Sequence, residues 1–328
     1  MGFNFKEKMT EEKLKDKYYR KLKLLNETIW ERKATQKKIN SWLDNFRDEE
    51  RLHSLYLLTQ FIYFSEYQIE NLLVSLYRDH YKYSIIKDIR KANNDSLDEQ
   101  LINTEFKASE SRTRFVSLGN PSESSATLMG CFRKVNDIPV GLFISEGDIS
   151  AGLGPVDKFV FIDDLCGSGN QAIEYSDVII PKIKAFYPHC KVVYLMLIST
   201  KHGKLNIKEN SNFDYVDSIL ELDESYKCFS DSSRVFTNKD DEIDIDKIQE
   251  FCGEYGKELM YSLINEAQPD YTNEECTQVA EHSKFGYSDG QLLLGFHHNT
   301  PDNTLPIFWY NKNSIPWTPI FKRFNKVY

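Results

Sequence analysis

The sequence predicts an α/β fold built on a parallel sheet. Three observations carry that expectation. From about residue 110 onward, short apolar runs alternate with helix-compatible stretches, the pattern of strands joined by crossover helices. The sharpest of these runs, Phe159-Val160-Phe161-Ile162, ends in two adjacent carboxylates, Asp163 and Asp164. A small glycine-bearing loop follows, Gly167-Ser168-Gly169, and then a helix-compatible run from Gln171. An apolar run with turn residues behind it reads as a buried strand. Acidic groups at its C-terminal end fall where open α/β sheets bind ligands.

The elements follow in order along the chain. In residues 10–33, Leu14, Tyr18, Leu22, Leu25 and Ile29 fall on one face of an amphipathic helix. A second helical stretch is expected over 48–80, with Leu55, Leu58, Ile62, Ile69, Leu72 and Leu76 on a stripe and Asp44 as its N-terminal cap. The polar run 91–98 reads as a connector. Strand 114–119, loop 120–125 and a short helix 126–133 come next, followed by a strand at 141–145 and a Gly-rich loop at 147–154. Residues 192–198 form another buried strand, 213–222 a weakly alternating one and 244–265 an acidic helix. Leu292 to Phe296 is strand-like, 297–304 is a turn-rich loop, and the remainder reads as a rigid wrapped tail. The expected organisation is a helical N-terminal region at 1–95 and an α/β domain at 96–328, with an irregular C-terminal tail at 285–328.

Bulk properties narrow the class. With 328 residues, 41% hydrophobic and 28% charged, the chain can bury a sizeable core and has a globular composition. No apolar run approaches the roughly 18 residues of a membrane-spanning helix, so no membrane role is expected. The N-terminus lacks the apolar core of a signal peptide, and the expected location is cytoplasmic. The six cysteines form no C-x-x-C pair, which argues against a zinc ribbon and for thiols used as small core residues. Cys166 lies inside the ligand loop and reads as a lining residue rather than a nucleophile. The net charge of −9 excludes a generally basic nucleic-acid binder. It hides an asymmetry: residues 1–38 carry twelve Lys/Arg against six Asp/Glu, and residues 217–254 carry four against twelve.

The acidic pair and the loop carry the chemistry. Neighbours on a strand end diverge, so Asp163 and Asp164 do not form a close acid/base couple. One can accept hydrogen bonds from the vicinal hydroxyls of a ribose, and the other can hold a water-bound Mg²⁺ or balance a cationic transition state. The plainer alternative is a pair that caps a strand-to-helix turn. Gly167 and Gly169 remove side chains where a phosphate would approach, and Ser168 offers a hydroxyl. The loop opens a helix, whose first N–H groups and dipole favour an anion. Together these suggest a ribose-phosphate or nucleotide ligand. In the tail, His297 and His298 are adjacent and make a poor bidentate metal site. One could contact a ligand while the other packs. Asn299, Asp302 and Asn303 fit turn-forming roles as readily as base recognition.

The stretch Ile162-Asp163-Asp164-Leu165-Cys166-Gly167-Ser168-Gly169-Asn170 resembles the phosphoribosyl-diphosphate signature of type I phosphoribosyltransferases. The resemblance implies a type I phosphoribosyltransferase-like core, with Mg²⁺ as cofactor and Asp163 and Asp164 as the diol- and metal-binding catalytic acids. It places the 5-phosphate loop on Gly167, Ser168, Gly169, Asn170 and Gln171. The sequence departs from the family at the loop's end: Gln171 stands where threonine is common, and Asn170 is bulkier than the usual glycine. The family also grips pyrophosphate from an upstream strand–loop–helix. That layout falls on 115–133, with Asn120, Ser122, Ser124 and Ser125 as contacts and Arg112, Arg114 or Arg133 as charge partners, beside the alternative of an ordinary βα turn.

A closer resemblance is to phosphoribosyltransferase-like proteins of bacterial conflict systems, including those encoded beside retron reverse transcriptases. It rests on Trp42-Leu43-Asp44-Asn45-Phe46, on the acidic segment and on the tail from Gly295 to Trp309. It implies an anti-phage defence effector or a component that controls one, with partner proteins or a reverse transcriptase–DNA complex of a defence operon. His297, Asn299 and Asn303 are then the acceptor-side candidates. Three readings stay open: a Mg²⁺-dependent transferase acting at an anomeric carbon, a non-catalytic nucleotide-binding sensor that regulates a partner, and a module whose basic residues 1–38 dock on an acidic protein or on retron nucleic acid.

Overall fold

The computed structural model describes residues 10–117 and 123–324. Their contacts divide into two units, one formed by the N-terminal residues to Ser65 together with Glu224–Phe324, the other by Glu66–Asp223. The first stretch holds α1 (Glu11–Thr28), α2 (Gln36–Leu43), α3 (Arg51–Leu58) and β1 (Ile62–Phe64). The second unit begins with α4 (Glu66–Ser75), a π-helical segment (Leu76–Lys82), α5 (Tyr83–Ala92), α6 (Glu99–Ser111), β2 (Thr113–Ser117) and α7 (Glu123–Val135). It continues with β3 (Phe143–Ile144), β4 (Lys158–Cys166), α8 (Asn170–Phe186), β5 (Lys191–Thr200), α9 (Lys201–Asn210) and β6 (Tyr215–Leu222). The chain then returns to the first unit with α10 (Ile245–Ala267), α11 (Asn273–Ser283) and β7 (Leu294–Phe296).

This grouping differs from the boundary expected near residue 95. Residues 66–111 belong with the sheet, because Tyr81 and Phe106 pack with Phe115 of β2 in one aromatic cluster. Residues 224–324 belong with the N-terminal helices, because both contribute to one core.

Among the described residues, Glu66–Asp223 holds a five-stranded sheet in the order β3-β2-β4-β5-β6, with every pairing parallel. β4 is the central strand. Phe159–Ile162 of β4 and Val192–Ile198 of β5 are buried throughout, the continuous apolar run of strands covered on both faces. Ile179 and Ile183 of α8 share a core with Phe159, Phe161 and Tyr194. The edge strand β6 is fastened by one carboxylate. Asp217 receives hydrogen bonds from Tyr215 Oη (2.7 Å) and the Ser218 N–H (2.9 Å), and it pairs with His80 Nδ1 (3.1 Å) and Lys204 Nζ (2.5 Å).

In the first unit, apolar faces of α1, α2, α3 and α10 close on the tail. Trp30, Trp42, Phe308, Trp309 and Tyr310 are fully buried there. Trp42 donates from Nε1 to the Ile307 carbonyl (2.8 Å) and stacks on Phe308 at 5.4 Å. The tail is wrapped and irregular, as expected. Opposite charges from the two biased stretches meet in this unit: Lys17 of α1 reaches Asp240 (2.6 Å), whose other oxygen accepts from Tyr18 (2.8 Å).

Several elements differ from expectation. The stretch 48–80 is not one helix. It breaks after Leu58, where Thr59, Gln60 and Phe61 turn back on α3 carbonyls, and Ile62–Phe64 pairs in parallel with Leu294–Phe296. A β-branched residue and two aromatics suit a strand once a partner is present, and local periodicity carries no signal for a partner so far along the chain. Asp44 does not cap that stretch. It is the C-cap of α2, and its carboxylate lies 3.5 Å from Arg51. α7 starts earlier and ends later than 126–133, and the strand at 141–145 shortens to β3 because Val140–Leu142 form a 3₁₀ turn. The expected helix at 244–265 and strand at 213–222 fall on α10 and β6.

Candidate functional site

The order of the sheet sets the site. β2 is the first strand of the sheet in sequence, yet it lies second in space. The chain runs from β2 outward to β3, while β4 leads the other way to β5 and β6. The connections leaving β2 and β4 therefore diverge, and a crevice opens beyond the C-terminal ends of these two strands. In register, Ser117 of β2 lies opposite Ile162 of β4. Asp163 and Asp164 are the next residues of β4 and stand at that crevice.

The two carboxylates differ in environment. Asp163 is part-buried. Its Oδ1 accepts from the Asp164 N–H (2.9 Å), and its Oδ2 accepts from the Tyr194 hydroxyl (2.9 Å). Tyr194 comes from β5, is 1% exposed and stacks on Phe213 at 5.0 Å. Asp164 is 6% exposed and accepts from the Leu165 N–H through Oδ1 (2.8 Å). The two are successive residues of β4.

The glycine loop is built against α9. Thr200, the N-cap of α9, donates to the Gly167 carbonyl (2.5 Å) and accepts from the Gly203 N–H (2.9 Å). Asn206 Nδ2 donates to the Ser168 carbonyl (2.8 Å) and lies 3.2 Å from Asn170 Oδ1. A trans peptide aims its N–H opposite its C=O. With the Gly167 carbonyl turned to α9, the Ser168 N–H points to the other side of the loop. Gly169 is the N-cap of α8 at φ 85°, a left-handed conformation that only glycine adopts cheaply. A Cβ there would stand 2.8 Å from the Gly203 carbonyl. Gly203 in turn leaves no room for a side chain beside the Gly167 carbonyl. Asn170 and Gln171 are exposed in the first turn of α8.

Cys166 is 4% exposed, and burial with the nearby Asp163 charge pushes its thiol up to about 12. The sulfur packs in the core with Ile207 of α9, and a protonated buried thiol is a poor nucleophile. Thr200, Gly203, Asn206 and Tyr194 were not singled out from sequence. The Thr-x-x-Gly step at 200–203 carries an N-cap signal, but its contact with the loop is tertiary.

The other candidates distribute as follows. Asn120 and Ser122 lie outside the described residues. Ser124 and Ser125 fall in the first turn of α7, and Arg133 in its last. Arg112 pairs with Asp157 (2.5 Å), and Arg114 donates to the carbonyls of Ser111, Thr113 and Leu153. His297, Asn299 and Asn303 belong to the other unit. Asn299 Oδ1 accepts from the N–H groups of Thr300 (2.9 Å) and Phe324 (2.8 Å), and Asn303 Nδ2 donates to the Tyr287 carbonyl (3.0 Å). Both amides are 4–6% exposed and close turns within the tail, which favours their turn-forming reading. The His297 N–H donates to the Phe64 carbonyl (2.9 Å), extending the β1–β7 pair, while the His298 ring stacks on Phe296 at 5.4 Å. His189 and His202 are exposed.

A parallel sheet in this order, with an acidic pair and a glycine-capped helix at the divergence of its connections, defines a phosphoribosyltransferase-like α/β protein. The family model described as PRTase-CE matches residues 39–323, and the chain belongs to that family. No curated protein matches the chain. Among the described residues, no helix is long and apolar enough to cross a membrane, and no group of three or more His, Cys, Asp or Glu is placed to hold a metal ion.

Proposed function

We propose that the crevice between β2 and β4 binds a ribose 5-phosphate ligand, phosphoribosyl diphosphate or a nucleotide, and that the protein acts on it as a type I phosphoribosyltransferase-like component of an anti-phage, retron-linked defence system. One observation supports this above the others: the acidic pair and the glycine-capped N-terminus of α8 leave the same strand, β4, at the point where the sheet's connections diverge. In this reading Asp163 and Asp164 accept hydrogen bonds from the ribose hydroxyls. The N–H groups at 167–171 take the 5-phosphate, with charge favoured by the α8 dipole. The connection after β2, which includes Asn120, Ser122, Ser124 and Ser125, takes the diphosphate end. The defence role rests on the likeness of the 42–46 stretch, the acidic segment and the tail to retron-encoded proteins.

Mg²⁺ fits the donor set. Asp163 and Asp164 are hard oxygen ligands, and Mg²⁺ is commonly bound by one or two carboxylates together with waters and substrate phosphates. When bound, it would neutralise charge on a departing diphosphate. The residues of the chain would hold the ribose in place and exclude water from an anomeric carbon with oxocarbenium character, so that rate comes from positioning and charge placement.

A second reading, binding without turnover, is favoured by a specific observation. Both oxygens of Asp163 already accept hydrogen bonds from Tyr194 and Asp164, and Asn170 is tied to Asn206 beside Gln171. Titration calorimetry of phosphoribosyl diphosphate with and without Mg²⁺ tests the site. Binding should be lost in the Asp163→Asn, Asp164→Asn double variant, and unchanged binding there sinks both readings. Binding without product across nucleobase, nucleotide and nucleic-acid acceptors would select the sensor.

A further inference from the structure

The first unit holds a cleft of about 640 Å³ between the turn preceding α3 and the first half of α10. His53 lines it from α3, and Glu49, Glu250, Glu254, Lys247 and Phe251 complete most of its wall. His53 is 8% exposed, and its Nε2 is buried without a hydrogen-bond partner. The Glu49 backbone lies close to the ring. A neutral imidazole keeps one of its two ring nitrogens as an acceptor. Burial, reinforced by the Lys247 charge, holds this ring below the usual histidine range and keeps it neutral. A buried acceptor left unpaired is costly, and it calls for a donor.

The carboxylates indicate which donor. Glu50 is saturated by the Arg47 N–H and side chain and by the Tyr255 hydroxyl. Glu254 pairs with Arg47 at 2.8 Å. Glu49 and Glu250 are exposed and take part in no ion pair among the described residues. Lys247 leans to Asp244 at the rim, 4.0 Å away. The cleft thus offers two uncommitted negative charges and one neutral nitrogen acceptor. A divalent metal fits poorly, since no group of three ligating side chains converges among the described residues. An anion would meet the two glutamates.

We propose that this cleft binds an organic ammonium cation, with one N–H donated to His53 Nε2 and the charge balanced by Glu49 and Glu250. The same chemistry is offered by a free polyamine and by the lysine side chain of a basic polypeptide. The site belongs to the first unit and does not depend on the crevice of the sheet.

Calorimetry of the full chain with spermidine and, separately, with an end-blocked trilysine peptide tests the assignment. Saturable binding should weaken about tenfold in Glu250→Gln, an exposed substitution, the scale expected for losing a charged hydrogen-bond partner. The His53 Nε2 nitrogen resonance should shift on titration. His53→Phe should abolish the saturable binding, with circular dichroism confirming the fold. Tighter spermidine binding identifies a free polyamine as the source, and tighter trilysine binding identifies a polypeptide. Heats that are the same in the wild type and Glu250→Gln, or an unmoved His53 resonance, overturn the proposal. So does a crystal structure grown with spermidine that shows only a water against Nε2.

Discussion

The hydroxyl of Tyr194 donates to Oδ2 of Asp163 over 2.9 Å, so the first acid of the pair is held from the neighbouring strand. Tyr194→Phe keeps the ring stacked on Phe213 and removes this donor. The expected loss of stability is about 1–2 kcal/mol, read from urea denaturation. Ligand affinity at the crevice should fall with it, because the Asp163 carboxylate is no longer aimed. Unchanged affinity would show that Asp163 is not positioned through Tyr194.

Gly203→Ala should displace the glycine loop, since the added methyl is driven into the Gly167 carbonyl. Overpacking of this kind costs about 1–3 kcal/mol, and phosphate-ligand affinity should drop more than stability does. Gly130→Ala is the matched control. Gly130 sits within α7, and a methyl group added there would meet nothing within 4 Å, so this change should stabilise by about 0.5–1 kcal/mol. Thermal melts of the two variants should move in opposite directions.

Acid should loosen the edge of the sheet. Burial raises the Asp217 carboxyl, but hydrogen bonds from His80, Lys204, Tyr215 and the Ser218 N–H outweigh it and hold the group well below the usual carboxylate range. Its contribution to stability is complete above the unfolded value of about 4 and is lost as pH falls toward the lower folded value. Asp217→Asn should therefore be markedly less stable than the wild type at pH 7, and the gap should narrow as pH drops below about 4. Parallel denaturation curves at pH 7 and pH 3 check this, and a gap independent of pH would refute it.

Cys166 should be chemically silent in the folded protein. Its thiol is pushed up to about 12, so iodoacetamide at pH 8 should label it only after denaturation, as peptide mass spectrometry would show. Cys166→Ala should keep crevice binding. Loss of binding with the fold intact would restore a direct role for the sulfur.

Trp42→Ala should be the most damaging of these changes. It removes the stack on Phe308 and the bond to the Ile307 carbonyl, at a cost of about 3–5 kcal/mol. Loss of the first unit's cooperative melt, followed by tryptophan fluorescence, is the expected readout.

The parallel core and its acidic strand were legible because Phe159–Ile162 and Val192–Ile198 are buried on both faces and so read as unbroken apolar runs. The place of Asp163 and Asp164 at the end of a buried strand followed from the local pattern alone. What sequence did not show depends on distant partners. Ile62–Phe64 look helical until Leu294–Phe296 are placed beside them. Tyr194 and Asn206 touch the site only through the packing of β5 and α9. Asn299 and Asn303 suit a turn or a ligand equally by type, and only their bonds to Phe324, Thr300 and Tyr287 separate the two.

The pairing of β1 with β7 has a consequence for the order of synthesis. The strand at 62–64 waits for a partner at 294–296, and every residue of the sheet lies between them in the chain. On the ribosome, where domains fold as they emerge, the Glu66–Asp223 unit is complete before the other half of the first unit has been made. The N-terminal helices must then persist without the tail that buries Trp42, exposing aromatic surface to chaperones. A segment translated late thus closes one translated early.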